Sequence, residues 1–476
     1  MGVAVRHAGR CRVAVNGMAT RNFGEPIRLL FLVGDTGGGH RSAANAVQQA
    51  LERCYPGRFD AVICDPLLGP GTPLRLRWLM RLYGPAIRLT PWLWGMLWRS
   101  YNSPRVLGWA RRTVLRSAYP SVAAAVAQHQ PAVIVAFHAL TADPAVRARA
   151  SSVPEAGLVT VVTDLVTAHL SWRDAAVDRI IVPSAPIRHQ CRLDGMAEGR
   201  YTEIGLPVAV EFSQPPMGTH ARGALQRALG LRGGRFLVVV TGGAEGSGGI
   251  YRRTAAILKK QPGDVDVAVI CGRNDMLRRR LTRLAARSGG RLTVRGFVDN
   301  MADWLRCADV VVGKAGPGTI AEAVCCGAPL LLTSYVPGQE AGNADFVVSA
   351  GAGRYVPGLA DLVAEIDRLK HDPRALAEMR QASASISRPG AAADIAMMLA
   401  SLAEGARAAG VAVTTPATAW QPARNIPPLA QRPEVWTVLP QRASRASRRA
   451  RRDLIGVDGG GRRLKTLPRR RKLGRL

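Results

Sequence analysis

The sequence predicts an α/β protein of two consecutive domains, each an open parallel sheet wrapped by helices. Three observations carry that expectation. Short apolar runs alternate with glycine-rich turns and helically periodic segments, the grammar of strand, loop and helix. A stretch containing Pro207, Pro215 and Pro216 breaks this grammar, which then restarts. The length, 476 residues with 47% hydrophobic and 21% charged, gives room for two or three packed domains at roughly 150 residues each and excludes a wholly disordered or fibrous chain.

In the first domain, residues 25–205, strands are expected over 27–33, 61–64, 133–137, 158–163 and 179–182, with a helix over 41–53 directly after the first glycine loop. Residues 206–220 read as a linker. The second domain, residues 221–406, has strands expected over 235–240, 265–271, 292–294, 310–312 and 330–333, and ends on helices over 359–370, 373–384 and 391–406. A basic extension, residues 1–24, precedes the first domain, and Met18 is an alternative start because the first strand begins only at Ile27. A Pro- and Arg-rich tail, residues 407–476, follows the second domain; its last 36 residues hold 14 Lys or Arg and two Asp, so it reads as disordered.

Charge is the outlying property. The chain has 65 Lys and Arg against 34 Asp and Glu, a formal charge of +31, which points to a polyanionic partner, either nucleic acid or an anionic membrane. The eight cysteines form no C-x-x-C pair and no Cys/His ligand spacing, so they read as reduced, mostly buried thiols of a cytosolic protein rather than a zinc site or a disulfide framework. No apolar run approaches the roughly 18 residues of a membrane-spanning helix, and residues 1–24 lack the apolar core of a signal peptide. The expectation is a protein that neither spans a membrane nor is secreted.

Three glycine loops follow strands and open helices. GDTGGGHRSAANA (34–46) brings His40 to a helix start, TGGAEGSGGI (241–250) follows the first strand of the second domain, and VVVGKAGPGTIAEAVCCGAP (310–329) repeats the pattern. One such turn is ordinary turn chemistry. Three of them at the carboxyl edges of open sheets form the crevice where such folds bind ligands, and backbone amides at a helix N-terminus suit a diphosphate. The first does not match the dinucleotide fingerprint G-x-G-x-x-G at its usual spacing. Glu322 lies one helical turn after Thr319, where a carboxylate can accept from ribose hydroxyls, while Lys314 reads as a solvated lysine.

These loops, with VVTDLVTAHLSW (161–172), GLPV (205–208), VICGRN (269–274), RGFVDNM (295–301) and YVPGQEAGNADFVV (335–348), resemble the monogalactosyldiacylglycerol synthase family, in family order across residues 27–400. The resemblance implies a GT-B glycosyltransferase, two Rossmann-like domains with a cleft between them, related to the bacterial enzyme that adds N-acetylglucosamine to a lipid-linked peptidoglycan precursor. It implies a UDP-sugar co-substrate in the C-terminal domain, a lipid acceptor in the N-terminal one, inversion in a single displacement, and neither a metal ion nor another cofactor. By position, His40 matches the family's general base. Asp35 shares its loop, and Asp164 and His169 of the TD-x-x-T-x-H motif either orient His40 or act as base. His138, in AFHAL, also resembles a family position and reads as a core histidine. On the donor side the resemblance puts Phe297 and Val298 near uracil. Gly242, Gly243, Gly316, Pro317, Gly318 and Thr319 then fall near the diphosphate, Glu322 on ribose, and Gln339, Glu340 and Asn343 on the hexose. Ala244 and Gly249 stand where the plant enzymes have Gly and Pro, so the hexose stays open between galactose and glucose.

Between Pro66 and Ala142 there is no acidic residue, while nine Arg and five of the nine Trp fall there. Arg and Trp interleaved in this way favour the headgroup level of a bilayer. The expectation is a helical insertion docking on an anionic leaflet, with Arg88, Trp92, Trp94, Trp98 and Arg99 at the interface and the protein peripheral on the cytoplasmic face of the cell membrane. Single-stranded nucleic acid is the less favoured partner for this pattern, and a structural core is the plain alternative. Competing functions are transfer to another lipid-linked or hydrophobic acceptor, a UDP-sugar epimerase, and a catalytically silent lipid- or nucleic-acid-binding protein on the same fold.

Overall fold

The computed structural model describes residues 25–34, 38–69, 71–173, 176–261 and 263–409. Two six-stranded sheets organise them. The first contains β1 (Ile27–Leu32), β2 (Phe59–Cys64), β3 (Val133–Ala136), β4 (Gly157–Val161), β5 (Arg179–Val182) and β6 (Tyr201–Glu203), in the order β2-β1-β3-β4-β5-β6. The second contains β7 (Phe236–Thr241), β8 (Val265–Ile270), β9 (Leu292–Arg295), β10 (Val310–Lys314), β11 (Leu330–Ser334) and β12 (Gly353–Tyr355), in the order β12-β11-β10-β7-β8-β9. Every pairing is parallel.

Parallel strands need helical crossovers, which cover both faces of a sheet, and this explains the unbroken apolar runs. Leu29, Phe31 and Val135 are buried on one face of the first sheet, and Leu30, Leu32 and Ile134 on the other. The second sheet repeats this with Leu237, Val239 and Val311 against Val238, Val240 and Val312. Strand order reverses between β1 and β3 and again between β7 and β10, so a crevice opens beyond the carboxyl ends of each pair. The glycine loops leave from those ends.

The ten expected strands are present, and β6 and β12 are additional. Both are three-residue edge strands, too short to show alternation. The larger correction concerns the last helix, Ala391–Ala409, which the sequence assigned to the second domain. It packs on the first: Ala391, Ile395, Leu399 and Ala403 are buried with Ala43, Val47 and Leu51 of helix Gly39–Cys54, and Glu404 pairs with Arg58 at 2.8 Å. An apolar stripe states that a face is buried, not against which partner.

Between β2 and β3 lie helices Leu74–Leu89, Pro91–Tyr101, Pro104–Arg112 and Val114–His129. They carry the Trp- and Arg-rich window. Among the described residues no helix is long and apolar enough to cross a membrane. The seven described cysteines are free thiols, and burial pushes several up, Cys271 to about 11 and Cys307 to about 12, which makes them poor nucleophiles.

Candidate active site

The first glycine loop leaves β1 at Gly34, where a Cβ would stand 2.8 Å from the His138 ring. Glycine is therefore what lets His138 sit under the loop. Gly38, at φ +86°, is the N-cap of helix Gly39–Cys54, a left-handed position that favours glycine. His40 follows in the first turn. Its Nδ1 lies 2.7 Å from the Thr163 hydroxyl, and its ring meets His138 edge-on with centroids 4.5 Å apart. His138 also caps helix Ala139–Ser152 by accepting the Leu140 N–H, and burial holds its pKa well below the ordinary histidine value. Asp35 lies outside the described residues.

A hydrogen bond to His40 Nδ1 thus comes from Thr163, beyond the carboxyl end of β4. Asp164 is buried, accepting from Trp172 Nε1 at 2.7 Å and from Gln339 Nε2 at 3.2 Å. His169 turns the other way: its Nδ1 accepts the Ser171 N–H at 3.1 Å, and its ring packs edge-on against Trp98 with centroids 5.7 Å apart. Burial brings His169 down to about 4, so it is neutral near pH 7. Thr163 is a site residue that the sequence reading does not single out; its signal is its place directly before Asp164 at the carboxyl edge.

Burial raises Asp164 from 3.8 to about 6. The folded protein therefore binds this proton more tightly than the unfolded chain does. Its contribution to stability is fully present below about pH 4 and is lost as pH rises through about 6. Asp164→Asn, uncharged throughout, should be more stable than the wild type near pH 8 by up to about 3 kcal/mol, with the difference closing near pH 4 in urea denaturation. An equal difference at both pH values would contradict this.

Second-domain loops meet the first at close range. A Cβ on Gly38 would stand 3.0 Å from the Ala244 methyl and one on Gly342 would stand 2.8 Å from Val166, while within the second domain one on Gly243 would stand 3.9 Å from the Thr319 hydroxyl. Gly242 passes so close to the Ser247 main chain that a Cβ would overlap it. Gly249 caps helix Ile250–Lys260, and Gly316 caps helix Pro317–Cys325 with Pro317 in its first turn. These two helices and Gly39–Cys54 share a property: none has a side-chain cap or an acidic residue in its first turn. Their first-turn N–H groups and dipoles suit an anion, with Pro317, Gly318 and Thr319 half-buried at one rim.

Glu322 is half-buried one turn further on, and burial raises its carboxyl to about 7. That is not a plain surface glutamate. Phe297 is exposed beyond β9 with the Arg273 guanidinium 5.3 Å from its ring centre, while Val298 packs onto the core. The Gln339, Glu340 and Asn343 cluster divides. Gln339 is half-buried and reaches Asp164 across the cleft. Glu340 is buried, paired with Lys314 and accepting the Val336 N–H at 2.8 Å. Asn343 is buried and donates to the Ala315 carbonyl at 2.9 Å. Glu340 and Asn343 therefore brace the loops, and Lys314 is paired rather than solvated; a buried carboxylate needs such a partner. Among the described residues no cluster of three metal-ligand side chains forms.

Of the interfacial set, Trp92 is 64% exposed and Arg99 is also on the surface. Trp94 and Trp98 are half-buried. Trp98 is corrected from membrane to cleft, because its ring lies against His169 and Gly338. Arg88 falls in helix Leu74–Leu89, and its side chain lies outside the described residues.

Two family models match consecutive parts of the chain: monogalactosyldiacylglycerol (MGDG) synthase over residues 40–208 and the glycosyltransferase family 28 C-terminal domain over residues 237–395. The chain is 31% identical to monogalactosyldiacylglycerol synthase 1, chloroplastic, of Arabidopsis thaliana, covering 69% of this chain and 62% of that protein. It is 31% identical to a probable monogalactosyldiacylglycerol synthase, chloroplastic, of Glycine max, covering 77% and 70%. It thus spans about two-thirds of the length of these relatives. Among solved structures, Acinetobacter baumannii MurG superposes with a TM-score of 0.50 at 15% identity, covering 79% of this chain and all of that one. A UDP-GlcNAc 2-epimerase from Neisseria meningitidis superposes with a TM-score of 0.51 at 12% identity and covers 79% of this chain. The structural likeness fixes the two-domain GT-B architecture, and the sequence relatives separate the families that share it: the chain belongs to the monogalactosyldiacylglycerol synthase family of glycosyltransferases.

Proposed function

We propose that this protein transfers a hexose, galactose or glucose, from its UDP donor to diacylglycerol, peripherally on the cytoplasmic face of the cell membrane. The observation that carries the reading is the convergence of three glycine loops, with three uncapped helix N-termini, beside the Thr163-held His40. That the relatives are monogalactosyldiacylglycerol synthases supports a hexose as the sugar and diacylglycerol as the acceptor.

With Nδ1 engaged by Thr163, the proton-accepting atom in this reading is His40 Nε2. It takes the proton of the acceptor hydroxyl while that oxygen bonds to the anomeric carbon, and the bond from that carbon to the UDP oxygen breaks, inverting the centre. UDP leaves with the electron pair, and the N–H groups opening helices Ile250–Lys260 and Pro317–Cys325 stabilise its charge. Glu322 accepts from ribose hydroxyls. Gln339, Glu340 and Asn343 are the hexose-side residues in this reading, and no metal takes part.

The membrane part of the reading rests on the exposed side chains of the insertion. Leu74, Trp78, Leu82, Trp92, Met96 and Trp109 are all more than half exposed in a window free of acidic residues, which suits an anionic bilayer. Calorimetric titration with UDP-galactose and with UDP-glucose, in EDTA, tests the donor site. Binding of one of them without metal is expected; folded protein that binds neither would overturn the reading.

A further inference from the structure

The Pro91–Tyr101 helix has two working faces. Trp92, Leu93, Met96 and Leu97 are exposed, spaced as one side of a helix. Trp94, Gly95, Trp98 and Tyr101, on the other side, are buried or half-buried. That inner side touches both domains. A Cβ on Gly95 would stand 2.7 Å from the Pro337 Cβ, and one on Gly338 would stand 3.0 Å from the Trp98 ring. Trp98 also packs on His169, and Asn102, just past the helix, accepts the Leu170 N–H at 2.8 Å.

The touched loop is the one that shapes the donor site. Pro337 and Gly338 precede Gln339, bonded to Asp164, and Glu340, paired with Lys314. Lys314 in turn borders the third glycine loop: a Cβ on Gly316 would stand 3.0 Å from its Nζ. Contacts therefore run without a gap from the exposed face of the insertion to the helix start assigned to the diphosphate.

We propose that this helix couples the two ligands, so that seating its outer face in an anionic bilayer presses its inner face onto Pro337 and Gly338 and tightens UDP binding. The inference rests on the membrane and UDP-sugar readings above. Trp98 is then a positioning residue rather than a membrane anchor. Coupling of this kind is reciprocal: lipid raises UDP affinity and UDP raises lipid affinity by the same factor. Helix position is the variable both sites bias.

Gly95→Ala separates the faces. Alanine favours a helix more than glycine does, the outer face is unchanged, and circular dichroism checks that the variant is folded. The new methyl meets Pro337 and holds the helix off the loop. UDP affinity of the full chain is measured by calorimetry without lipid, with phosphatidylcholine vesicles, and with mixed phosphatidylcholine and phosphatidylglycerol vesicles; sedimentation reports vesicle binding. Wild type should bind UDP about ten-fold more tightly on the mixed vesicles. Gly95→Ala should sediment as wild type does, while its UDP affinity stays at the lipid-free value. Wild type that sediments with unchanged UDP affinity overturns the coupling alone, as does a Gly95→Ala variant that keeps the full gain. Failure to sediment overturns the membrane reading and this inference with it, and loss of UDP binding in every condition overturns the donor-site reading.

Discussion

His40→Ala is expected to lower turnover by about 100-fold or more, the usual contribution of a positioned general base, with UDP affinity little changed. The two readouts separate because His40 lies in the first domain, held by Thr163 Oγ1 at 2.7 Å, while the loops assigned to UDP belong to the second. Thr163→Val keeps the shape and removes that hydrogen bond. If Thr163 fixes the tautomer and direction of His40, its loss should lower kcat by a smaller factor, with KM for the donor unchanged. Near wild-type turnover in His40→Ala would move the base role to Asp35 or Asp164. His169 is the weakest substitute, because its Nδ1 is turned to Ser171 and its ring to Trp98.

Removing the exposed face of the Pro91–Tyr101 helix should have an effect of similar size on a different observable. Trp92→Ala, Met96→Ala and Leu97→Ala together delete side chains that pack against little in the folded chain, at 64%, 57% and 45% exposure, so stability should hardly change. Burying each in lipid contributes about 1 kcal/mol or more, so vesicle partitioning should fall about 100-fold while lipid-free UDP affinity is unchanged. Trp94 and Trp98 stay in place because the structure turns them inward. Unchanged sedimentation would show that the arginines alone hold the protein on lipid, and in that case binding should weaken steeply with salt.

Much of this was legible in the residues, and the misses share a cause. The central strands declared themselves because both faces are covered, leaving apolar runs such as Phe236–Thr241 between glycine turns. Glycine loops at the strand ends located the cleft, since Gly38 and Gly249 stand at left-handed helix starts that favour that residue. What periodicity and motif do not encode is which of several polar side chains in a loop turns inward. Glu340 and Asn343 sit three residues apart beside Gln339, yet the first two are buried as loop braces and Gln339 bridges to Asp164. Lys314 was misread for the same reason, its partner lying 26 residues away. Trp98 resembled its neighbours in composition, and its position one turn after Trp94 was visible; the loop it packs against, some 240 residues later in the chain, was not. The final helix is legible as a helix but not in its partner, because its apolar stripe fits any apolar surface and the surface it meets is helix Gly39–Cys54.

The measurement that tests the central claim most directly is product analysis by mass spectrometry. Purified protein would be offered UDP-galactose, UDP-glucose and UDP-N-acetylglucosamine in turn, with diacylglycerol in anionic vesicles and EDTA present. The account predicts a hexosyl-diacylglycerol from UDP-galactose or UDP-glucose, and its loss in His40→Ala. Folded, vesicle-bound protein that yields no glycosylated lipid from any donor would contradict it.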